Sequence, residues 1–207
     1  IECLLLNDDY YLEPSADAHR SAYGCLEGLQ GQQAKSPLVY SELAGLNLGA
    51  YAHGFDYPAS ASPEEAMALA LRAVKMAPTS PSAHRALGYV TSRTGKRAES
   101  IRWMRKAYEL NTYDLGMAAS YAYALVFSGD YAGGAPILER AVEAASAHPA
   151  WWDYGLFLAK TMQRDMDRAA DASEPLAATK RSHYLAARLI AADHQGDLNA
   201  AASLVAE

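Results

Sequence analysis

Apolar residues along this 207-residue chain never settle into the period-two alternation of a half-buried strand, and no Asn-Gly or Asp-Gly hairpin dipeptide occurs. From Pro81 to Asp114 the pattern predicts two helices joined by a tight turn at Thr94-Gly95-Lys96. The first carries Leu87-Gly88, the second Ser100 and Ala107, and Leu110-Asn111 closes the segment. In such a helix hairpin Gly88 and Ser100 must be small because helix faces helix there, and Ala107 because the next hairpin stacks on it.

The pattern repeats. Moving 34 residues on, Leu115 to His148 has Tyr121-Ala122 for Leu-Gly, a turn at Ser128-Gly129-Asp130, and Gly134 and Ala141 at the small sites. Upstream, Ala66, Ala73, Met76 and Pro78 stand one period before Ser100, Ala107, Leu110 and Thr112, so Pro63 to Pro78 reads as the second helix of an earlier repeat. Weaker copies follow. Leu156-Phe157, Arg164-Asp165 and Ala169 lack the first small site, and Arg188-Leu189, Gln195-Gly196-Asp197 and Ala201 make a last, truncated one. At the front, Ile1 to Leu12 and Ser15 to Leu29 read as a divergent hairpin with Ala18 and Cys25 at the small sites.

These residues resemble the tetratricopeptide repeat (TPR) family, whose unit is a 34-residue helix-turn-helix with small residues at its two facing sites. The match is clearest from Pro37 to Asp171. The expected fold is all-α, a TPR-type α-solenoid, a single domain over residues 1–207 in which about six helix pairs form a right-handed superhelix. The departure is His53 to Ser62, about ten extra residues rich in Gly, Pro, Ser and aromatics. It reads as a tolerated surface insertion or as a functional lip. Asp9-Tyr10-Tyr11, Ala18-His19-Arg20, Cys25-Leu26-Glu27, Ala83-His84-Arg85-Ala86-Leu87-Gly88, Leu110-Asn111 and His148-Pro149-Ala150-Trp151-Trp152 further resemble the TPR region of bacterial proteins. In those proteins the region accompanies adenylate/guanylate cyclase or winged-helix regulator modules. That likeness implies an accessory or sensory module whose output domain lies outside this chain.

The family's superhelix implies a concave groove lined by the first helices, the surface that repeat proteins use for binding. Projected onto it, the hairpins contribute Arg85, Tyr89, Ser92 and Arg93, then Ala119, Tyr123, Val126 and Phe127, then Trp151, Tyr154, Leu158 and Met162. Tyr and Trp offer large contact area with few rotors and a polar tip, which suits a peptide or helix ligand. The partner-binding set is therefore Arg85, Tyr89, Arg93, Tyr123, Phe127, Trp151 and Tyr154, with the rings as anchors and the arginines as polar selectors. The same rings are alternatively filling between superhelical turns. Chaperone-binding members clamp a C-terminal carboxylate with Lys and Asn; the corresponding places here hold Arg85, Tyr89, Ala119 and Tyr123, so that clamp is missing.

Composition narrows the function. The 43 alanines, the strongest helix formers, fit close helix crossings. The longest uncharged apolar stretch, Leu115 to Gly129, is 15 residues, shorter than the ~20 of a membrane-spanning helix. Net charge is −6, but seven basic and two acidic residues between Pro81 and Thr112 give a local +5 against −11 elsewhere. That patch suits an acidic partner or a neighbouring domain, or is a solvated helix face. The acidic remainder argues against nucleic acid. Six scattered histidines and the absence of His-Glu-x-x-His, Gly-x-Ser-x-Gly or a phosphate-binding glycine loop point to no enzyme, no cofactor and no metal. Cys3 and Cys25, on the two helices of the first hairpin, are packing residues in a reducing cytoplasm or a disulfide in an exported domain. The cyclase-linked likeness favours the cytoplasm. Starting at Ile1 and ending at Glu207 in an unfinished helix, the chain reads as a fragment, with Leu204 and Val205 awaiting a continuation.

The resulting expectation is a non-catalytic protein-interaction or sensory scaffold in a bacterial signalling or regulatory protein, binding a peptide or protein segment. Two alternatives stand beside it. One is a small-molecule-binding regulatory domain with a pocket under the 53–62 loop, and the other is a structural homo-oligomerisation module.

Overall fold

A computed structural model describes residues 1–12, 14–32, 36–178 and 181–206. Among them are twelve α-helices and no strand. They are α1 (Glu2–Leu12), α2 (Ala16–Gln32), α3 (Pro37–His53), α4 (Pro63–Met76), α5 (Pro81–Arg93), α6 (Arg97–Leu110), α7 (Leu115–Phe127), α8 (Tyr131–Ala144), α9 (Trp151–Met162), α10 (Met166–Ser173), α11 (Ser182–Gln195) and α12 (Leu198–Ala206). A 3-10 turn over Glu174–Ala178 follows α10. The described residues gather into two compact units, Ile1–Tyr121 and Ala122–Glu207, and within each unit consecutive helices pack as hairpins.

Local chemistry sets the helix ends. Ser62 and Ser80 accept from the backbone N–H of Glu65 (3.1 Å) and Ala83 (3.3 Å), each followed by a proline at the first helical position, where its missing N–H costs nothing. Within the hairpins the chain reverses through left-handed residues at Gly54, Gly95, Gly129, Arg164 and Gly196. After Gly129, Arg164 and Gly196 the following aspartate N–H closes back on the carbonyl five residues earlier, at 3.0 Å for Asp130, Asp165 and Asp197. Two of those aspartates also cap the next helix, Asp130 accepting from Gly133 (2.9 Å) and Asp197 from Ala200 (2.9 Å). One residue thus ends one helix and starts the next, which keeps the turns short.

The small sites lie at the crossings. In unit one a Cβ on Gly88 would stand 2.9 Å from Met104 Cγ and 3.2 Å from the Met104 backbone nitrogen, and Ser100 Oγ donates to the Gly88 carbonyl at 2.8 Å. In unit two a Cβ on Gly134 would stand 2.8 Å from the Ala122 carbonyl oxygen. The hairpin of α9 and α10 lacks this feature. Phe157 occupies the first site and is buried with Ala169, Ala172, Leu176, Tyr184 and Ala187.

Helix α3 is buried without interruption from Val39 to Ala50, at the centre of unit one. Its Gly45 and Gly49 receive the hydroxyls of Tyr11 and Tyr10 from α1 in the space that Cβ atoms would need. A disulfide joins Cys3 on α1 to Cys25 on α2, with the Cα atoms 5.4 Å apart. At the other end Leu204 is buried against its own unit while Val205 is exposed, so the expectation that both await a continuation fails for Leu204. Glu207 lies outside the described residues. Among those residues no helix is long and apolar enough to cross a membrane.

Candidate binding surfaces

Two side-chain clusters on first helices of hairpins, one in each unit, contain all of the residues expected to bind a partner except Tyr154. In unit one Arg85 and Tyr89 lie on α5 one turn apart, with Arg93 a further turn along. Arg85 is not a free selector: its Nη2 contacts Glu42 Oε1 of α3 at 3.3 Å. Glu42 is 6% exposed and also accepts from Asn7 Nδ2 of α1 at 2.8 Å. Removing a carboxylate from water is costly unless it is paired and hydrogen-bonded, and here two helices supply the partners.

The surroundings carry that pairing outward. Burial, followed by the Glu42 charge, pushes the Tyr11 hydroxyl well above its ordinary pKa, so it stays protonated. Burial also raises the Asp8 carboxyl, against the attraction of Arg85. Burial works against the Arg85 charge, but Glu42 and then Tyr11 outweigh it and raise the guanidinium pKa. Arg85 keeps about a third of its side-chain surface exposed, and its Nε has no hydrogen-bond partner among the described residues. Arg93 extends over the Tyr89 ring, 5.9 Å from its centre. The surface is a half-open guanidinium beside a tyrosine, backed by a buried carboxylate.

In unit two the expected rings divide into two groups. Tyr123 stacks on Phe127 at 4.4 Å and meets the edge of Trp151 at 5.2 Å; Phe127 is 48% exposed. These three form a continuous aromatic strip with an open end. The backbone approaches closely beneath it, since a Cβ on Gly155 would stand 2.9 Å from Tyr123 Cδ2. Tyr154 belongs elsewhere. It packs on Phe157 (6.3 Å), His183 (4.9 Å) and Tyr184 (5.4 Å), and burial raises its hydroxyl pKa. Ala119 and Val126, expected on the open face, are instead buried. Helix α7 has no charged residue and so little to mark which side faces water.

The long loop after α3 is fastened down. Phe55 packs on His19 at 5.3 Å, and Tyr57 meets the edge of Tyr23 at 5.4 Å. Tyr57 donates to Glu27 (2.5 Å), and Arg20 bonds Asp56 (2.7 Å). Both rings pack against α2 under the loop, where the small-molecule alternative would have its pocket. His19 itself is fully buried and donates from Nε2 to the Leu46 carbonyl at 2.9 Å; burial lowers its pKa.

Glu42 and Asn7 were not singled out by sequence, and Tyr11 entered only through the Asp9-Tyr10-Tyr11 likeness, with no role given to it. Glu42 did leave a trace, as the one Asp, Glu, Lys or Arg in α3 (Pro37–His53).

With this geometry the chain was compared with known proteins. No family model matches it, and no curated protein matches it by sequence. Solved structures do. PilW, a widely conserved type IV pilus biogenesis factor, aligns over 99% of this chain and 90% of its own with a TM-score of 0.68 at 16% identity. YrrB, a TPR protein with an unusual peptide-binding site, aligns over 86% of this chain and 88% of its own (TM-score 0.55, 14% identity). Human IFIT1, in a dimer with m7Gppp-AAAA, aligns over 94% of this chain and 47% of its own (TM-score 0.72, 13% identity).

The fold is that of tetratricopeptide-repeat proteins.

At these identities the likeness concerns the TPR fold alone. Two features of this chain stand beside the shared fold: the disulfide that joins α1 to α2, and the buried Glu42 that holds Arg85.

Proposed function

We propose that the chain is a non-catalytic protein-interaction module that holds a peptide or protein segment, with the aromatic strip Tyr123, Phe127 and Trp151 as its anchor. The observation that carries this reading is Phe127, half exposed yet held in place by stacking on Tyr123, which in turn is braced by Trp151. A ring fixed in advance loses little freedom on binding and offers apolar area to a partner. In the other unit Arg85 and Tyr89, with Arg93 over the Tyr89 ring, supply a polar surface suited to carbonyl or carboxylate groups. The peptide-binding site named for YrrB, which shares the fold, supports the same class of ligand. Linkage to a cyclase or winged-helix regulator is no part of this reading, because the neighbours support only the repeat scaffold.

The Cys3–Cys25 disulfide favours an oxidising compartment over the cytoplasm, since thiols are kept reduced there. This departs from the location that the cyclase-linked likeness implied.

The test is selection from a displayed random-peptide library on the purified chain, followed by titration of the enriched peptides. The expected result is micromolar binding that falls about tenfold or more when Phe127→Ala and Tyr123→Ala are combined, with circular dichroism still helical. Enriched peptides whose affinity ignores both substitutions would overturn the assignment of the strip, and failure to enrich any peptide would overturn the function.

A further inference from the structure

Helix α1 turns much of its apolar surface to water. Leu5 and Leu12 are exposed, and Leu4 and Leu6 reach the core only in part. Asn7 is the side chain that goes deep: it is buried, donates from Nδ2 to Glu42 Oε2 at 2.8 Å, and its Oδ1 has no hydrogen-bond partner among the described residues. A helix that buries an incompletely bonded amide and leaves leucines outside gains little from docking. At 11 residues it is also shorter than the ~12–15 at which an isolated helix becomes marginally stable. Something else must keep it in place.

The Cys3–Cys25 disulfide does so covalently. Cys3 is buried, but Cys25 on α2 is only half-buried and open to an attacking thiol. Under α1 lies one face of α3, on which Glu42, Gly45 and Gly49 recur at i, i+3 and i+7. Asn7 meets the first, and the hydroxyls of Tyr11 and Tyr10 fill the notches at the other two. That face continues to Arg85, which Glu42 holds.

We infer that α1 is a redox-latched cover: the disulfide keeps it on the α3 face, and reduction by a dithiol releases it. One thiolate of the dithiol attacks Cys25 Sγ, the S–S bond breaks, and Cys3 leaves as a thiolate that takes up a proton. The second thiolate then displaces Cys25, so the dithiol is oxidised to a disulfide and both cysteines end as thiols. Release takes the Asn7 donor from Glu42 and lets water reach the carboxylate, which weakens its pull on Arg85. The polar surface of unit one then has two forms, set by the state of one bond. Only this last consequence touches the proposed role of Arg85. The latch involves neither Arg85 nor the aromatic strip, so it and the proposed function fail separately.

The experiment follows the full chain by hydrogen–deuterium exchange, read by mass spectrometry on peptides from α1 and α6, before and after treatment of the folded protein with a small dithiol. In the oxidised chain both helices should be protected. After reduction, and in Cys3→Ser/Cys25→Ser without dithiol, α1 amides should exchange within about tenfold of free-peptide rates while α6 stays protected. Gly49→Ala, whose methyl would stand 2.5 Å from the Tyr10 hydroxyl, should speed α1 further in the reduced chain and little in the oxidised one. An α1 that stays protected after reduction would overturn the latch, as would a bond that the dithiol cannot reduce in the folded chain. Loss of protection in α6 together with α1 would show that the bond holds unit one as a whole, which also overturns it. A Gly49→Ala chain whose reduced α1 exchanges like the parent's would overturn the notch as the seat of the cover.

Discussion

Replacing three glycines by alanine, one at a time, separates the packing account of this repeat from simple helix propensity. In a helix interior the change gains about 0.8–1 kcal/mol wherever the methyl meets nothing. Gly24, exposed on α2 with no heavy atom within 4 Å of its would-be Cβ, should show that full gain. Gly88 sits at a crossing, but the atoms nearest the new methyl, Met104 Cγ at 2.9 Å and Sδ at 3.0 Å, belong to a flexible side chain that can turn aside. The backbone nitrogen at 3.2 Å remains tight, and gain and cost should nearly cancel. Gly134 is the severe case. Its methyl would stand 2.7 Å from Val126 Cγ2 and 2.8 Å from the Ala122 carbonyl oxygen, and that oxygen is fixed by the backbone of α7. Overpacking of this kind costs about 1–3 kcal/mol, so after the propensity gain Gly134→Ala should lose about 1 kcal/mol. For a chain of this length 1 kcal/mol corresponds to about 2–4 °C. Thermal unfolding followed by far-ultraviolet circular dichroism should rank Gly24→Ala above the parent, Gly88→Ala beside it and Gly134→Ala below it. A Gly134→Ala protein melting at or above the parent would refute the argument that glycine is there for helix approach.

Two further outcomes follow from buried groups in unit one. The disulfide closes a loop across 22 positions, worth about 3 kcal/mol by chain entropy; a dithiol reductant should lower the melting temperature of the parent and leave Cys3→Ser/Cys25→Ser, already lowered, unmoved. Equal reductant sensitivity in both would break the link. His19 is kept neutral by burial, so its folded pKa lies below the unfolded value of about 6.5. The unfolded chain then binds the proton first, and the stability due to neutral His19 is present above about pH 6.5 and lost as pH falls through the folded pKa. Melting temperatures measured between pH 8 and pH 5 should decline for the parent and decline less steeply for His19→Gln, which starts lower because its ring contacts with Tyr10, Tyr23 and Phe55 are gone. Parallel slopes for the two proteins would refute the assignment.

The hairpins were legible because the repeat rule acts on single positions. Gly88, Ser100 and Ala107 must each be small for a local reason, so a period of 34 carries the constraint along the chain whatever the other residues do. Even Phe157, which breaks the rule, was recognisable as the exception. The face that each helix turns to solvent was less legible. On α7, Gly116 to Phe127 has no charge, and periodicity cannot choose between a stripe containing Ala119 and Val126, which are buried, and one ending at Phe127, which is open. Contacts outside the repeat rule left no sequence pattern. The tyrosine hydroxyls of α1 fill the glycine notches of α3, and Asn7 reaches Glu42, because α1 is pinned at Cys3 to a different helix. Such contacts depend on how two elements meet in space and not on spacing within either.

The loop from Gly54 to Ser62 shows how far composition misleads when partners are unknown. Its Gly, Pro, Ser and aromatic content reads as a tolerated surface insertion or a functional lip, and the same aromatics are what tie it to α2. A ring in a loop can face a ligand or its own protein, and the deciding residues here, His19, Tyr23 and Glu27, lie about 30 positions earlier on one face of α2. The same logic bears on Phe127. It stacks on Tyr123, which Trp151 braces in turn, and about half of its surface is still uncovered. Phe55 and Tyr57 are consumed by the fold, whereas Phe127 retains apolar area after its intramolecular contacts are made. That residual area is the physical reason for placing the partner on the α7–α9 strip and not under the loop.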